Sequence, residues 1–95
     1  MQTLHIEHAI IDFDLWKRAF DGLAETRARA GVVADRILRP LEDANYIVVD
    51  LDFATADEAD AFLAFLHEKV WAVRANSPAL AGAPQTRMLT LEAGH

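Results

Sequence analysis

The sequence predicts a ferredoxin-like α+β sandwich, in which a four-stranded antiparallel sheet carries two helices on one face. Three segments alternate side chains with the period of two that is typical of strands, and a fourth, over residues 32–39, is also predicted as a strand. Two longer segments carry apolar residues at helical spacing. The order along the chain is strand, helix, strand, strand, helix, strand, and right-handed crossovers then place the first and third strands in the centre.

Length and composition favour one soluble domain over residues 1–95, because either half of the 95-residue chain would be too small to fold alone. Hydrophobic residues make up 53% of the chain and charged residues 25%, which is a globular composition. The net charge of −6 makes nucleic acid an unfavourable partner. The absence of cysteine excludes disulfides, thiolate metal sites and a cysteine nucleophile. We find no signal peptide or membrane span, and we therefore expect a cytoplasmic protein.

The first predicted strand, over residues 3–11, contains the leading candidate for chemistry. Leu4, Ile6 and Ile10 share one face, and His8 interrupts their apolar series. The imidazole should therefore lie between the sheet and the helices, where a polar group needs hydrogen-bond partners. Bonded to a backbone carbonyl it is a core residue, and beside a cavity it is a site residue. The sequence leaves both interpretations open, and His8 is the candidate catalytic residue.

A helix is predicted next, over residues 13–30. Asp12 is typical of a helix N-cap and Gly31 of a C-cap. Arg27 lies on the apolar stripe of this helix, where it either extends its charged end to solvent or anchors an anionic ligand. A second strand follows over residues 32–39.

The strongest strand pattern covers residues 45–53, in which every second residue is apolar. Thr55 and Glu58 then match a capping box, which begins a second helix. Its apolar stripe includes Val73, and the helix should fade near residue 76 because a proline follows.

The end of the chain is predicted as a loop of small residues over 77–85 and a last strand over 86–92. Leu89 and Leu91 are expected on the buried side of this strand, and Met88 on the open side.

The second face of the sheet has no helix to cover it. Tyr46 and Val48 lie there beside Asp50 and Asp52, and so the face is half apolar and half polar. An antiparallel sheet tolerates one solvated face, but a chain this small gains burial by packing the face against a second copy. We therefore expect a homodimer through the open sheet face, in which the two aspartates could pair with arginines of the partner.

His5 and Glu7 are two residues apart on the first strand and could share a proton or contact a metal ion. Two ligands do not make a metal cage, and we expect no metal site.

A pocket between sheet and helices would be walled by aromatic and apolar residues of the two helices. The expected ligand-binding residues are Trp16, Phe20, Phe62, Leu66, His67 and Trp71. Two of them have alternatives. Trp71 lies off the helical stripe and could pack at an interface, and His67 could be a solvated flank.

Residues 12–20, which follow the histidine-bearing strand, resemble the small dimeric α+β barrel proteins related to antibiotic-biosynthesis monooxygenases. Residues 57–62, with the later Ser77-Pro78, are also similar to that group. The resemblance covers residues 4–92. It implies a homodimer whose two sheets pack face to face, with a ligand pocket between the sheet and the helices of each subunit.

The resemblance also implies possible activities. Some relatives oxygenate aromatic polyketides without metal or flavin, others degrade haem, and many have no known activity. The haem-degrading relatives use an asparagine on the first strand, with a tryptophan and then a histidine on the second helix. Here the first strand offers His8 and His67 precedes Trp71, so haem degradation is not expected.

The leading hypothesis is a homodimer that resembles cofactor-independent monooxygenases and binds a small apolar or aromatic molecule. His8 would act as the acid or base of an oxygenase or isomerase that needs no cofactor. The alternative is a non-catalytic structural or ligand-sensing homodimer, in which His8 is a core residue.

Overall fold

The computed structural model describes residues 1–94, and His95, the last residue of the predicted domain, lies outside them. The elements follow the predicted order, with each long helix divided. They are β1 (Gln2–Ile10), α1 (Phe13–Gly22), α2 (Ala24–Ala30), β2 (Val32–Leu38), β3 (Tyr46–Phe53), α3 (Ala56–Phe65), a π-helix (Leu66–Trp71), a short 3-10 helix (Arg74–Asn76) and β4 (Leu80–Thr90).

The four strands form one sheet in the order β2-β3-β1-β4, and every neighbouring pair is antiparallel. The ferredoxin-like prediction, with the first and third strands in the centre, is confirmed. Both central strands alternate buried and half-buried residues, because one face lies under the helices and the other does not. The core between sheet and helices comprises Leu4, Ile6, Ile10, Ile47, Val49, Leu51, Phe53, Ala59, Phe62, Leu66 and Val70.

The predicted helix caps are confirmed. The Asp12 carboxylate accepts a hydrogen bond from the Leu15 N–H at 2.9 Å and begins α1. The Thr55 hydroxyl accepts from the Glu58 N–H at 3.2 Å and begins α3. Gly31 ends α2 with φ of 100°, a left-handed conformation that favours glycine.

The prediction of one continuous helix over 13–30 is wrong, because the helix breaks at Leu23. The Leu23 N–H donates to the Phe20 carbonyl at 3.1 Å, a tighter turn than that of an α-helix. Gly22, which precedes the break, stabilises a helix less than other residues do. A second helix, α2, begins at Ala24. The axes of the two short helices can therefore differ, as packing on a twisted sheet requires.

The second helix also departs from the prediction. It is α-helical only to Phe65 and continues as a π-helix to Trp71. The helix therefore ends before residue 76, where it was predicted to fade. Val73, predicted on the buried stripe, lies beyond the helix in an extended conformation and is 41% exposed.

Two predictions for the last strand are wrong. The strand begins at Leu80, within the segment predicted as a loop, and Met88 rather than Leu89 faces the helices. Met88 pairs with the buried Leu4, which places both side chains on the helix side. Leu89 is 41% exposed on the open face, and Leu91, beyond the strand, is 60% exposed.

None of the helices within residues 1–94 is long and apolar enough to cross a membrane.

Candidate functional site

A cavity of about 80 Å³ lies between the helix side of the sheet and the helices. Most of its lining is apolar. Strands, α-helices, the π-helix and the 3-10 helix all contribute to it. Five of the six residues expected to bind a ligand line it: Trp16, Phe20, Phe62, Leu66 and Trp71. The sixth, His67, is exposed and contacts Trp71 edge to face from outside, with ring centroids 5.0 Å apart.

His8 lines the cavity and is 5% exposed. Its Nδ1 lies 2.8 Å from the Ala9 carbonyl oxygen. Because a carbonyl only accepts, Nδ1 carries the proton and the neutral ring keeps a lone pair on Nε2. Burial lowers the pKa of His8 from its ordinary value of 6.5, and the bond to Ala9 opposes this only in part. The residue is therefore a neutral base.

Nε2 of His8 is the free atom of this ring. Within residues 1–94, no group forms a hydrogen bond with Nε2. Every fully enclosed side-chain nitrogen in that range has a hydrogen-bond partner, so Nε2 is not fully enclosed. Nε2 therefore retains access to the cavity that His8 lines. A proton on a bound molecule could reach it there.

The neighbouring strand is irregular beside His8. Glu7 pairs with Gln85 and Ala9 with Ala81, so His8 has no partner in β4 and three residues of β4 bulge opposite it. Gly82, in that bulge, has φ of 79°. Bulges are common next to active sites, where they redirect a side chain.

The π-helix places Trp71 in the cavity wall. Leu66, Val70 and Trp71 all line the cavity, although they do not share one α-helical stripe. The Ser77 hydroxyl fixes the end of this segment by donating to the Val70 carbonyl at 2.8 Å. π-Helical turns occur frequently at functional sites.

Arg27 also lines the cavity and is 8% exposed. The sequence raised it as a possible anchor but did not include it among the expected ligand-binding residues. The signal was present, because an arginine on an apolar helical stripe places a charge near the core. With His8 it gives an apolar cavity one basic nitrogen and one cationic group.

The opposite, open face of the sheet carries a second polar cluster. His5 contacts two carboxylates, with Nδ1 2.7 Å from Asp50 and Nε2 2.8 Å from Glu7. The Tyr46 hydroxyl donates to Glu7 at 2.8 Å. The hydrogen bond to Glu7 is the main cause that raises the pKa of His5 above 6.5, and Asp50 adds to it. Both ring nitrogens are thus occupied by carboxylates, and residues 1–94 contain no group of three or more metal-ligating side chains suited to an ion.

The same cluster continues to β2. Arg36 lies 3.1 Å from Asp52 and 3.6 Å from Asp50, and Thr3 donates to Asp52 at 2.7 Å. Arg36 of the same chain thus pairs with both aspartates, and they have an arginine partner without a second copy.

Comparison with known proteins shows the fold. No protein-family model matches the sequence, and no curated protein matches it either. Solved structures do match over nearly the whole chain. SnoaB, a cofactor-independent oxygenase from Streptomyces nogalater, has a TM-score of 0.73 and 17% identity, covering 98% of this chain and 94% of SnoaB. An antibiotic biosynthesis monooxygenase has a TM-score of 0.69 and 13% identity, covering 98% of this chain and 100% of the other.

A third similar structure is a dimeric ferredoxin-like protein from an uncultured marine organism, with a TM-score of 0.59 and 12% identity over 97% of both chains. The resemblance inferred from the sequence is thus confirmed for the fold, which is that of antibiotic-biosynthesis-monooxygenase-like proteins. At these identities the likeness carries no catalytic residue from one protein to another.

Proposed function

We propose that this protein binds a small, largely apolar or aromatic molecule in the cavity beside His8, and that Nε2 of His8 removes a proton from it. The observation that carries the proposal is an unbonded basic nitrogen with access to an apolar cavity. We propose oxygenase chemistry for this site because the protein shares its fold with SnoaB, a cofactor-independent oxygenase.

The size of the cavity limits the ligand. About 80 Å³ is roughly half the ~150 Å³ of an engineered cavity that holds benzene. A single aromatic ring therefore enters only if the wall moves outward. The half-buried Trp71, at the end of the π-helix, is the wall residue best placed to move, since Leu66 and Val70 of the same segment belong to the buried core and Trp71 only packs against it.

The chemistry follows from a base in an apolar site. A neutral imidazole removes a proton from an activated C–H group, and a positioned base of this kind accelerates the transfer by about 10²–10⁴-fold. In an oxygenase without a cofactor, the resulting carbanion reduces O₂. An activated CH₂ group and O₂ then give a ketone and water, so the substrate supplies all the electrons.

We further propose that two copies pack through their open sheet faces. Val48 is half-buried there, and Leu38 and Leu89 are 50% and 41% exposed. Leu38 pairs with Val48 in the sheet, which places both on the open face. A second copy would bury these apolar side chains around the polar cluster of His5, Glu7 and Asp50.

Deuterium exchange tests proton abstraction directly, without knowledge of the natural substrate. The probe is acetophenone, a neutral single-ring ketone with exchangeable methyl hydrogens, incubated in D₂O. We expect the protein to accelerate deuterium incorporation and the His8→Ala variant to lose that acceleration. His67→Ala, which alters an exposed histidine outside the cavity, should retain it. His8→Gln preserves a polar group of similar size if the alanine variant does not fold.

Retention of exchange in a folded His8 variant would contradict the catalytic role. Binding of acetophenone without any exchange would favour the alternative, a ligand-sensing homodimer. One observation supports that alternative: the bond to Ala9 already satisfies Nδ1 of His8, as in a core histidine.

A further inference from the structure

Arg27 is a buried arginine in the wall of a largely apolar cavity. Burial lowers the pKa of its guanidinium, and the nearby Asp35 and Asp21 oppose that effect. An arginine remains charged at neutral pH in proteins, so the cavity carries a cation whether or not it is occupied.

Contacts with Phe20 hold this charge in place. The Arg27 side chain folds back along the helix, donates from Nη1 to the Phe20 carbonyl and lies over the Phe20 ring, 3.6 Å from its centre. The ring of Phe20 stacks in turn on Trp16, with centroids 5.0 Å apart. The guanidinium therefore joins the aromatic wall of the cavity and has little freedom to move to solvent.

The pairing of this charge is incomplete. A guanidinium has five N–H donors. Within residues 1–94 its carboxylate partner is Asp35, whose oxygen is 4.0 Å from Nε, beyond hydrogen-bond distance, on a side chain that is 43% exposed. No fully enclosed side-chain nitrogen of that part of the chain lacks a partner. The remaining donors are therefore not fully enclosed, and Arg27 itself lines the cavity.

We propose that Arg27 binds the carboxylate of the ligand, and that the cavity selects small organic acids whose apolar part lies against the aromatic wall. This inference rests on the proposed function and adds a substrate class to it. Arginine and carboxylate match in a bidentate, charge-assisted geometry, which is stronger than a neutral hydrogen bond. His8, as a neutral base, does not compete for the anion.

The charge of Arg27 favours acids over neutral ligands in this cavity. An isolated carboxylate loses its hydration in an apolar cavity, and a neutral ligand would then bind better. With the Arg27 guanidinium already desolvated, the carboxylate gains a partner and relieves an incompletely paired charge. The acid should therefore bind better than its neutral counterpart.

Benzoate and benzamide form a matched pair of probes, because they differ in charge and little in shape. We expect benzoate to bind the wild-type protein at least about tenfold more tightly, measured by NMR titration, as charge-assisted hydrogen bonds predict. Arg27→Met, a substitution of similar length, should remove this preference. Arg29→Met, which alters a 75% exposed arginine of the same helix, should leave it unchanged.

A second variant avoids dependence on the folding of Arg27→Met. Asp35→Asn removes the partly competing carboxylate at an exposed position, and it should raise the affinity for benzoate a few-fold while leaving benzamide unaffected. Equal or tighter binding of benzamide by the wild-type protein would overturn the role of Arg27 and leave the proposed cavity function intact. Failure of both probes to bind would contradict the proposed function itself, and this inference with it.

Discussion

The two histidines of β1 show how one strand creates opposite environments at neighbouring positions. His8 points into the apolar layer under the helices, and desolvation lowers its pKa. His5 points to the open face between Glu7 and Asp50, and hydrogen bonds to these carboxylates raise its pKa. The alternation of side chains along the strand places the two rings on opposite faces of the sheet, and each face then shifts the pKa of its histidine.

The opposite shifts predict opposite effects on stability between pH 7.5 and 5.5. The folded state binds the His8 proton less well than the unfolded state, so His8 contributes stability above pH 6.5 that is lost as the pH falls. His5 contributes stability that is present below pH 6.5 and lost as the pH rises through its raised pKa. Urea unfolding at both pH values should show that His8→Gln loses less stability on acidification than wild type, and that His5→Gln loses more. Identical pH dependence in all three proteins would contradict these environments.

For single residues, the sequence predicted a side chain's position where the strand or helix period alone determines which face it occupies. It placed His8 on the helix side of the sheet, and it identified Trp16, Phe20 and Phe62, which line the cavity. It did not place His67, since a π-helix cannot be read from apolar spacing. It did not find the pairing of Arg36 with Asp50 and Asp52, because that depends on the register of β2 against β3.

The helices of this protein are interrupted at the cavity. α1 and α2 separate at Leu23, and α3 changes to a π-helix at Leu66, and both residues line the cavity. The first interruption lies between Phe20 and Arg27, which contact each other. The second brings Trp71 into the wall beside Leu66 and Val70. An uninterrupted α-helix would place Trp71 off the stripe of Leu66 and Val70.

The ends of α1 and α2 each carry a glycine, and the two glycines allow a matched test. Gly31 has φ of 100°, and a Cβ there would collide with the Glu58 carboxylate. Gly22 ends α1, and a Cβ there would meet no atom within 4 Å. Gly31→Ala should destabilise the protein by about 1 kcal/mol or more, and Gly22→Ala should stabilise it by about 0.4–1 kcal/mol. Thermal unfolding measures both, and a stabilising Gly31→Ala would contradict the backbone geometry at this cap.

Elements with strong local signals were predictable. The last strand was predicted too, but its beginning and the direction of its two faces were not. Caps at Asp12 and Thr55 and alternation in β3 are local, so the sequence specified them. β4 contains Gly82 and Pro84 and bulges against β1, and these residues resemble a loop when read without their partner strand. Its two faces were reversed because the apolar Leu89 lies on the open side.

At the scale of the whole molecule, the open face of the sheet joins apolar side chains to a hydrogen-bonded polar cluster. Arg36 pairs with Asp50 and Asp52, and His5 lies between Asp50 and Glu7. The polar groups are thus bonded within one chain, which lowers the cost of covering them with a second copy. The exposed leucines at the edges then supply the burial that favours association.

Dimerisation through this face predicts a position-specific effect of charge. Leu38→Lys places a cation at the proposed interface and should raise the dimer dissociation constant at least about tenfold, given the burial energy of a leucine. Leu41 is fully exposed in the turn before β3, and Leu41→Lys should have no effect. Sedimentation equilibrium measures both. A monomeric wild-type protein, or equal effects of the two substitutions, would contradict the proposed interface.

The most direct test of a free base at His8 is the ¹⁵N NMR spectrum of its ring with and without phenol. The phenol hydroxyl can donate a hydrogen bond in the cavity. We predict a neutral ring protonated at Nδ1, and an Nε2 resonance that shifts as phenol saturates the site. A ring protonated at Nε2, or an Nε2 resonance that phenol leaves unchanged, would contradict a free base facing a ligand cavity.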